Sequence, residues 1–162
     1  ALYQHSIYQI EQRTLLGLFY ANFFGELFFM FLPTEIIFVY YSLLNFSPIT
    51  LFFVAMIGSL LVMAINYGFG YILGNTFLKW TMRKKYEKLE HLNEKYGGLI
   101  IILGNAFLFP SQVYALIVGA TKYPFKKYMW YTTIGRTIKY ILLLIGKDYF
   151  LEIIVPWIQA FF

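Results

Sequence analysis

Four charged side chains stand in stretches that are otherwise apolar: Glu26 and Glu35 early in the chain, Arg136 and Lys139 late in it. A carboxylate or cation at hydrocarbon depth is expensive unless it is paired, protonated or watered. Residues of this kind in this setting point to proton exchange, an ion pair or contact with a polar ligand. Glu35 falls in the first turn after Pro33, where free backbone N–H groups and the helix dipole favour an anion. Glu26 has no such help nearby and is the better candidate for proton exchange. Both could instead simply tie their segment to Arg136 or Lys139. Those two cations are one helical turn apart and share a face. They either snorkel to the interface or face inward, and Arg136 is the one expected to turn inward and hold a phosphate. Asn105, Ser111 and Gln112 add neutral polar groups around Pro110. They either satisfy backbone groups freed by that proline or touch a polar ligand.

The elements that carry these residues must be membrane elements. The 162 residues are 60% hydrophobic, 22% aromatic and 13% charged, more apolar surface than a soluble domain of this size can bury. The expectation is a single-domain, all-α integral membrane protein. Absence of cysteine rules out disulfide and thiolate chemistry. His5 and His91 are too far apart in sequence to suggest a metal site, and nothing calls for a cofactor. The net charge of +5 is no nucleic-acid footprint. Nine of the thirteen basic residues fall in segments 79–95 and 122–127, where they read as topology signals and contacts to anionic headgroups.

Leu99 to Ala120 is long enough to cross a bilayer, yet Pro110 breaks it and both flanks are basic. Proline removes a backbone donor and pushes the residue before it off helical geometry. A segment that enters, breaks and returns to the same face satisfies both features, so a re-entrant hairpin is predicted. The pattern occurs twice. Leu108-Phe109-Pro110-Ser111-Gln112-Val113 repeats Phe31-Leu32-Pro33-Thr34-Glu35-Ile36 at an offset of 77, and the same offset carries Ile57-Gly58-Ser59 onto Ile134-Gly135-Arg136. A hairpin makes no net crossing and the following helix makes one, so two such copies lie in opposite orientations, an inverted repeat as in transporters with broken helices.

Along the chain, residues 1–13 are predicted as an interfacial helix and show no cleavable signal-peptide pattern. Repeat 1 covers about 14–78: a half-helix from Leu15 to Leu32, a second half from about Glu35 to Leu44 with Thr34 as N-cap, and a span from Ile49 to Leu78. That span carries Gly58, Gly68, Gly70 and Gly74, a face suited to a homo-oligomer or to close packing within the chain. Residues 79–96 form an amphipathic surface linker helix. Repeat 2 covers about 97–146, with a span from Tyr128 to Ile145, and residues 148–162 form a C-terminal helix, short for a span.

With these pieces assembled, the chain resembles the DedA family of membrane proteins, also called the VTT or SNARE-associated family, over about residues 20–148. The resemblance rests on Glu26 followed by Pro33-Thr34-Glu35, on Gly70-Tyr71-Ile72-Leu73-Gly74, and most of all on Val118-Gly119-Ala120-Thr121-Lys122-Tyr123-Pro124-Phe125-Lys126-Lys127-Tyr128. Gly135-Arg136 with Lys139-Tyr140 looks like the YqaA-type branch. The resemblance implies two opposed re-entrant hairpins and lipid movement across the bilayer, as in undecaprenyl-phosphate or phospholipid translocases and scramblases. Better-known bacterial members carry arginines around the second hairpin's proline. This chain has Asn105 and Gln112 there, leaving Arg136 and Lys139 to supply the positive charge.

The expected function is non-enzymatic lipid translocation through a groove lined by Glu26, Glu35, Asn105, Gln112, Arg136 and Lys139, with Pro33 and Pro110 as the hairpin breaks. The alternative is a proton- or ion-coupled small-solute transporter with Glu26 as proton carrier. An enzyme acting on lipid phosphates is the weakest class, because no histidine or serine has a catalytic partner in the pattern. Membrane lipids, and protons or ions in the alternative, are the expected partners. The expected location is the plasma membrane, with 79–96 and 122–127 cytosolic.

Overall fold

In the computed structural model the described residues are 8–9, 12–27, 34–44, 46–74, 83–107, 111–147, 149 and 152, and within them every regular element is helical. The hairpin breaks at Pro33 and Pro110, the C-terminal helix over 148–162, the first residues of the linker and most of the N-terminal helix lie outside the described residues.

Six α-helices follow in order: α1 Leu15–Gly25, α2 Thr34–Ser42, α3 Pro48–Phe69, α4 Arg83–Ala106, α5 Ser111–Ala120 and α6 Phe125–Ile145. A π-helical turn, Gly70–Gly74, continues α3. Local chemistry sets several of the ends. The Thr14 hydroxyl accepts a hydrogen bond from the Gly17 amide at 3.0 Å and caps α1, while Pro48, which has no amide hydrogen to leave unpaired, opens α3. At the far end of α5 the Tyr123 amide donates to the Val118 carbonyl and the Lys122 amide to the Gly119 carbonyl. This is a Schellman closure with Lys122 at φ 55°, in the left-handed region where glycine is the usual occupant.

The helices fall into two copies of one arrangement. Thr34 and Ser111, the first residues of α2 and α5, are 77 residues apart, and so are Pro48 and Phe125, which open α3 and α6. In each copy the first helix, α1 or α4, packs on the third, α3 or α6, through a glycine. A Cβ added at Gly58 would lie 3.0 Å from the Phe19 carbonyl and 3.4 Å from Asn22 Cβ. At Gly135 it would lie 2.6 Å from the Ile102 carbonyl and 2.8 Å from Asn105 Cβ. Asn22 and Asn105 therefore occupy matching places, and each donates its side-chain amide to the carbonyl one turn back, Leu18 and Ile101. The second short helix of each copy crosses over to the other copy's long helix: α5 packs on α3, and α2 on α6.

The long helices run antiparallel. Tyr67 of α3 stacks on Tyr128 of α6, while Ala55, a dozen residues earlier in α3, lies by Tyr140, a dozen residues later in α6. Two apolar clusters occupy the two ends of this pair. One gathers Leu18, Phe38, Val39, Leu51 and Ala55 around Tyr140; the other gathers Val62, Met63, Ile101, Ala115 and Val118 around Tyr128.

One feature differs from the sequence reading. The linker and the first half of the second hairpin are one helix, because α4 runs through residue 96 to Ala106. Within α4, Gly97 and Gly98 are packing positions against the rings of Tyr123 and Tyr131. Of the four glycines in and after α3, Gly58, Gly70 and Gly74 are pressed against partners in the same chain, on Phe19, Leu116 and Ala120, while Gly68 has nothing within 4 Å of an added Cβ. Among the described residues one helical stretch, Pro48–Gly74, is long and apolar enough to cross a membrane, with mean hydropathy 2.4. Of the other two long helices, α4 begins in the charged linker and α6 carries Arg136 and Lys139, which lower its hydropathy.

Candidate functional site

Between the two apolar clusters lies a polar layer, and α6 organises it. Tyr128 belongs to one cluster and Tyr140 to the other. Thr132, Arg136 and Lys139 come between them on the same face, all buried. A long side chain on a helix leans toward the N-terminal end, which carries the Arg136 guanidinium into the space where both short-helix pairs end.

There Arg136 is fully enclosed and every part of its fork is engaged. Nη1 donates to Glu26 Oε1 at 2.5 Å, Nη2 to Ser111 Oγ at 2.8 Å, and Nε to Asn105 Oδ1 at 3.2 Å. Glu26 comes from the end of α1, Asn105 from the end of α4 and Ser111 from the start of α5. One guanidinium thus ties the inner ends of both copies together. A planar cation with donors in fixed directions suits this better than a lysine would. The Thr34 hydroxyl also donates to Glu26 Oε1, at 3.0 Å, and the Asn66 side-chain amide donates to the Glu26 carbonyl at 2.8 Å. Glu26 Oε2 is buried and has no partner among the described residues.

A second ion pair sits one turn further along α6. Lys139 Nζ donates to Glu35 Oε1 at 2.7 Å, with Glu35 18% exposed and Lys139 5% exposed. Two acids and two bases make the layer neutral, which is how charges become tolerable at low dielectric. Both acids come from the first copy and both bases from the second. Tyr140 completes the layer by donating its hydroxyl to Asn22 Oδ1 at 3.1 Å. Gln112 is buried beside Ser111 at the start of α5.

All six residues singled out from the sequence lie on the helices that converge here, and five of them interact directly: Glu26, Asn105 and Arg136 in one network, Glu35 and Lys139 in the other. Glu26 is not the partnerless carboxylate that the local sequence suggested, because its partners lie 8 and 110 residues away. Arg136 turns inward as expected, with its donors bound to protein groups in this conformation. Ser111, named with Asn105 and Gln112 in the sequence, joins the network through Arg136, and the structure adds Asn22, Thr34, Asn66 and Tyr140 as polar members of the layer. Their one sequence signal is polarity in an apolar run, which gives no partner. No group of three or more metal-ligating side chains occurs among the described residues.

A family model described as VTT domain matches residues 17–147, a range that takes in both copies and every residue of the polar layer. No curated protein and no solved structure matches the chain.

Proposed function

We propose that this chain, which belongs to the VTT domain family, moves lipid headgroups between the leaflets of its membrane along a groove between two re-entrant hairpins. The hairpins are α1–α2 and α4–α5. Short helices α1, α2 and α5 have 11, 9 and 10 residues, about 15 Å each at ~1.5 Å per residue. That reaches the middle of a hydrocarbon core ~30 Å thick and no further. The long helices α3 and α6, at 22 and 21 residues, can cross it.

The observation that carries the reading is the meeting of both hairpin ends at Arg136, in a neutral polar layer half-way along a crossing helix, where each of the four charges has an opposite partner. Such a layer lowers the main barrier to headgroup passage, which is the loss of water by a charged group. On this reading Glu26, Asn105 and Arg136 hold the frame. Glu35, Gln112 and Lys139 are the groups a headgroup meets, Glu35 being the most exposed member of the two ion pairs. No covalent step is required, and the basic segments 79–96 and 122–127 face the cytosol of a plasma membrane.

A second reading, a proton-coupled small-solute transporter, is favoured by one feature. Glu26 Oε2 is a buried carboxylate oxygen without a partner among the described residues, a place where a proton could reside. The test for both is reconstitution into liposomes carrying headgroup-labelled lipid, with an impermeant quencher added outside. Loss of signal beyond the outer-leaflet fraction, with tight leakage controls, supports translocation. Loss confined to the outer leaflet with proton-driven solute uptake supports the second reading.

A further inference from the structure

The outer face of the second hairpin carries an amphipathic pattern that the polar layer does not use. On α4, Ile101 and Asn105 turn inward and are buried. Tyr96, Leu99 and Leu103, and Phe107 just beyond the helix, recur at three- and four-residue steps on the opposite side, between 46 and 62% exposed. Near the inner end this stripe opens into a groove of about 320 Å³ lined by Ile100, Leu103, Gly104, Phe107 and Tyr114. The lining is apolar apart from the Tyr114 hydroxyl. The groove exists because of Gly104, where an added Cβ would meet nothing within 4 Å.

The outer end of the same stripe is basic. Lys95 is exposed beside Tyr96, Lys122 is exposed in the segment that joins α5 to α6, and Lys126 and Lys127 are exposed in the first turn of α6. α4 and α6 run parallel, with Gly98 against Tyr131 and Ile102 against Gly135. Lys127, one turn before Tyr131, is therefore level with Lys95. From Lys95 to Gly104 the helix rises about 14 Å, roughly half the thickness of a hydrocarbon core. A cationic patch, an apolar track of one leaflet's depth and an open groove at its end match an amphiphile with an anionic head and a long acyl chain.

We propose that this face holds one anionic phospholipid of the lysine-side leaflet as a resident ligand, with its phosphate at Lys95 and Lys127 and an acyl chain laid over Gly104. The site is separate from the translocation groove, since it opens on the side of α4 away from Arg136.

The test is native mass spectrometry of the purified full chain in detergent, titrated with dioleoyl phosphatidylglycerol or dioleoyl phosphatidylcholine. The wild type retains one phosphatidylglycerol at least about tenfold more tightly than phosphatidylcholine, as expected for lysines beside an anionic headgroup. Gly104→Leu fills the groove and loses that lipid. It replaces a helix-interior glycine by a better helix former in open space, so its circular dichroism stays that of the wild type. Lys95→Gln with Lys127→Gln abolishes the preference for phosphatidylglycerol and leaves phosphatidylcholine binding unchanged. Equal retention of the two lipids by the wild type overturns the proposal, as does undiminished phosphatidylglycerol binding in either variant. Absence of lipid scrambling with phosphatidylglycerol still retained would count against the translocation reading and leave this one standing.

Discussion

Arg136 Nη1 lies 2.5 Å from Glu26 Oε1, with both side chains enclosed and 110 residues of chain between them. This contact fastens the end of α1 in the first copy to α6 of the second. Removing either member strands a buried charge, and breaking a buried pair in this way costs about 3–5 kcal/mol. Glu26→Gln and Arg136→Gln should each lower the unfolding midpoint of the detergent-solubilised protein strongly. The double variant should be less unstable than the two single losses added together. Simple additivity in that cycle would show that the two residues do not depend on each other.

Glu35 and Lys139 form the more accessible pair, and the expected consequence is different. Glu35→Gln removes the charge but keeps an oxygen for Lys139 to donate to, at a site that water can partly reach, so folded yield should change less than at Glu26. If that pair meets the headgroup, the scrambling rate falls about tenfold, equivalent to ~1.4 kcal/mol on the barrier. A matching loss of folded protein would instead assign Glu35 to structure alone.

The seam between α3 and α5 depends on the missing side chain at Gly119, where a Cβ would be driven into the Tyr67 carbonyl. Gly119→Ala should destabilise the protein, and Gly68→Ala, at a site open on all sides, should be neutral or stabilising by up to about 1 kcal/mol. Thermal melts of the two alanine variants side by side separate a packing effect from a general preference for alanine in helices.

Lys122 closes α5 in a left-handed conformation, φ 55°. A non-glycine residue there is disfavoured by roughly 1 kcal/mol, so Lys122→Gly should raise the melting temperature. Its positive charge lies outside the polar layer, and transport by this variant should match the wild type.

The offset of 77 visible in the sequence coincides with the starts of four helices, because the proline-centred motif and the glycine of each crossing helix keep their spacing. The matching of Asn22 with Asn105 escaped the same comparison. These two are 83 residues apart, since the first hairpin holds six more residues between its asparagine and its second helix. Sequence drew attention to Glu26, Glu35, Arg136 and Lys139 because charge in an apolar run is conspicuous. It could not say which acid meets which base, a matter decided by α2 crossing onto the other copy's helix. The linker's predicted end at residue 96 comes too early for a related reason: a glycine that admits a tyrosine ring, as Gly97 and Gly98 do, and one that ends a helix look alike until the ring is placed.

The division of charge between the copies, with acids in the first and bases in the second, has a consequence for how the protein is made. A ribosome adding about 5–20 residues per second delivers Arg136 several seconds or more after Glu26. Throughout that interval Glu26 and Glu35 exist without the bases they pair with in the folded chain. Only when α6 arrives can both acids meet the bases that pair with them, so the first copy is completed by the second.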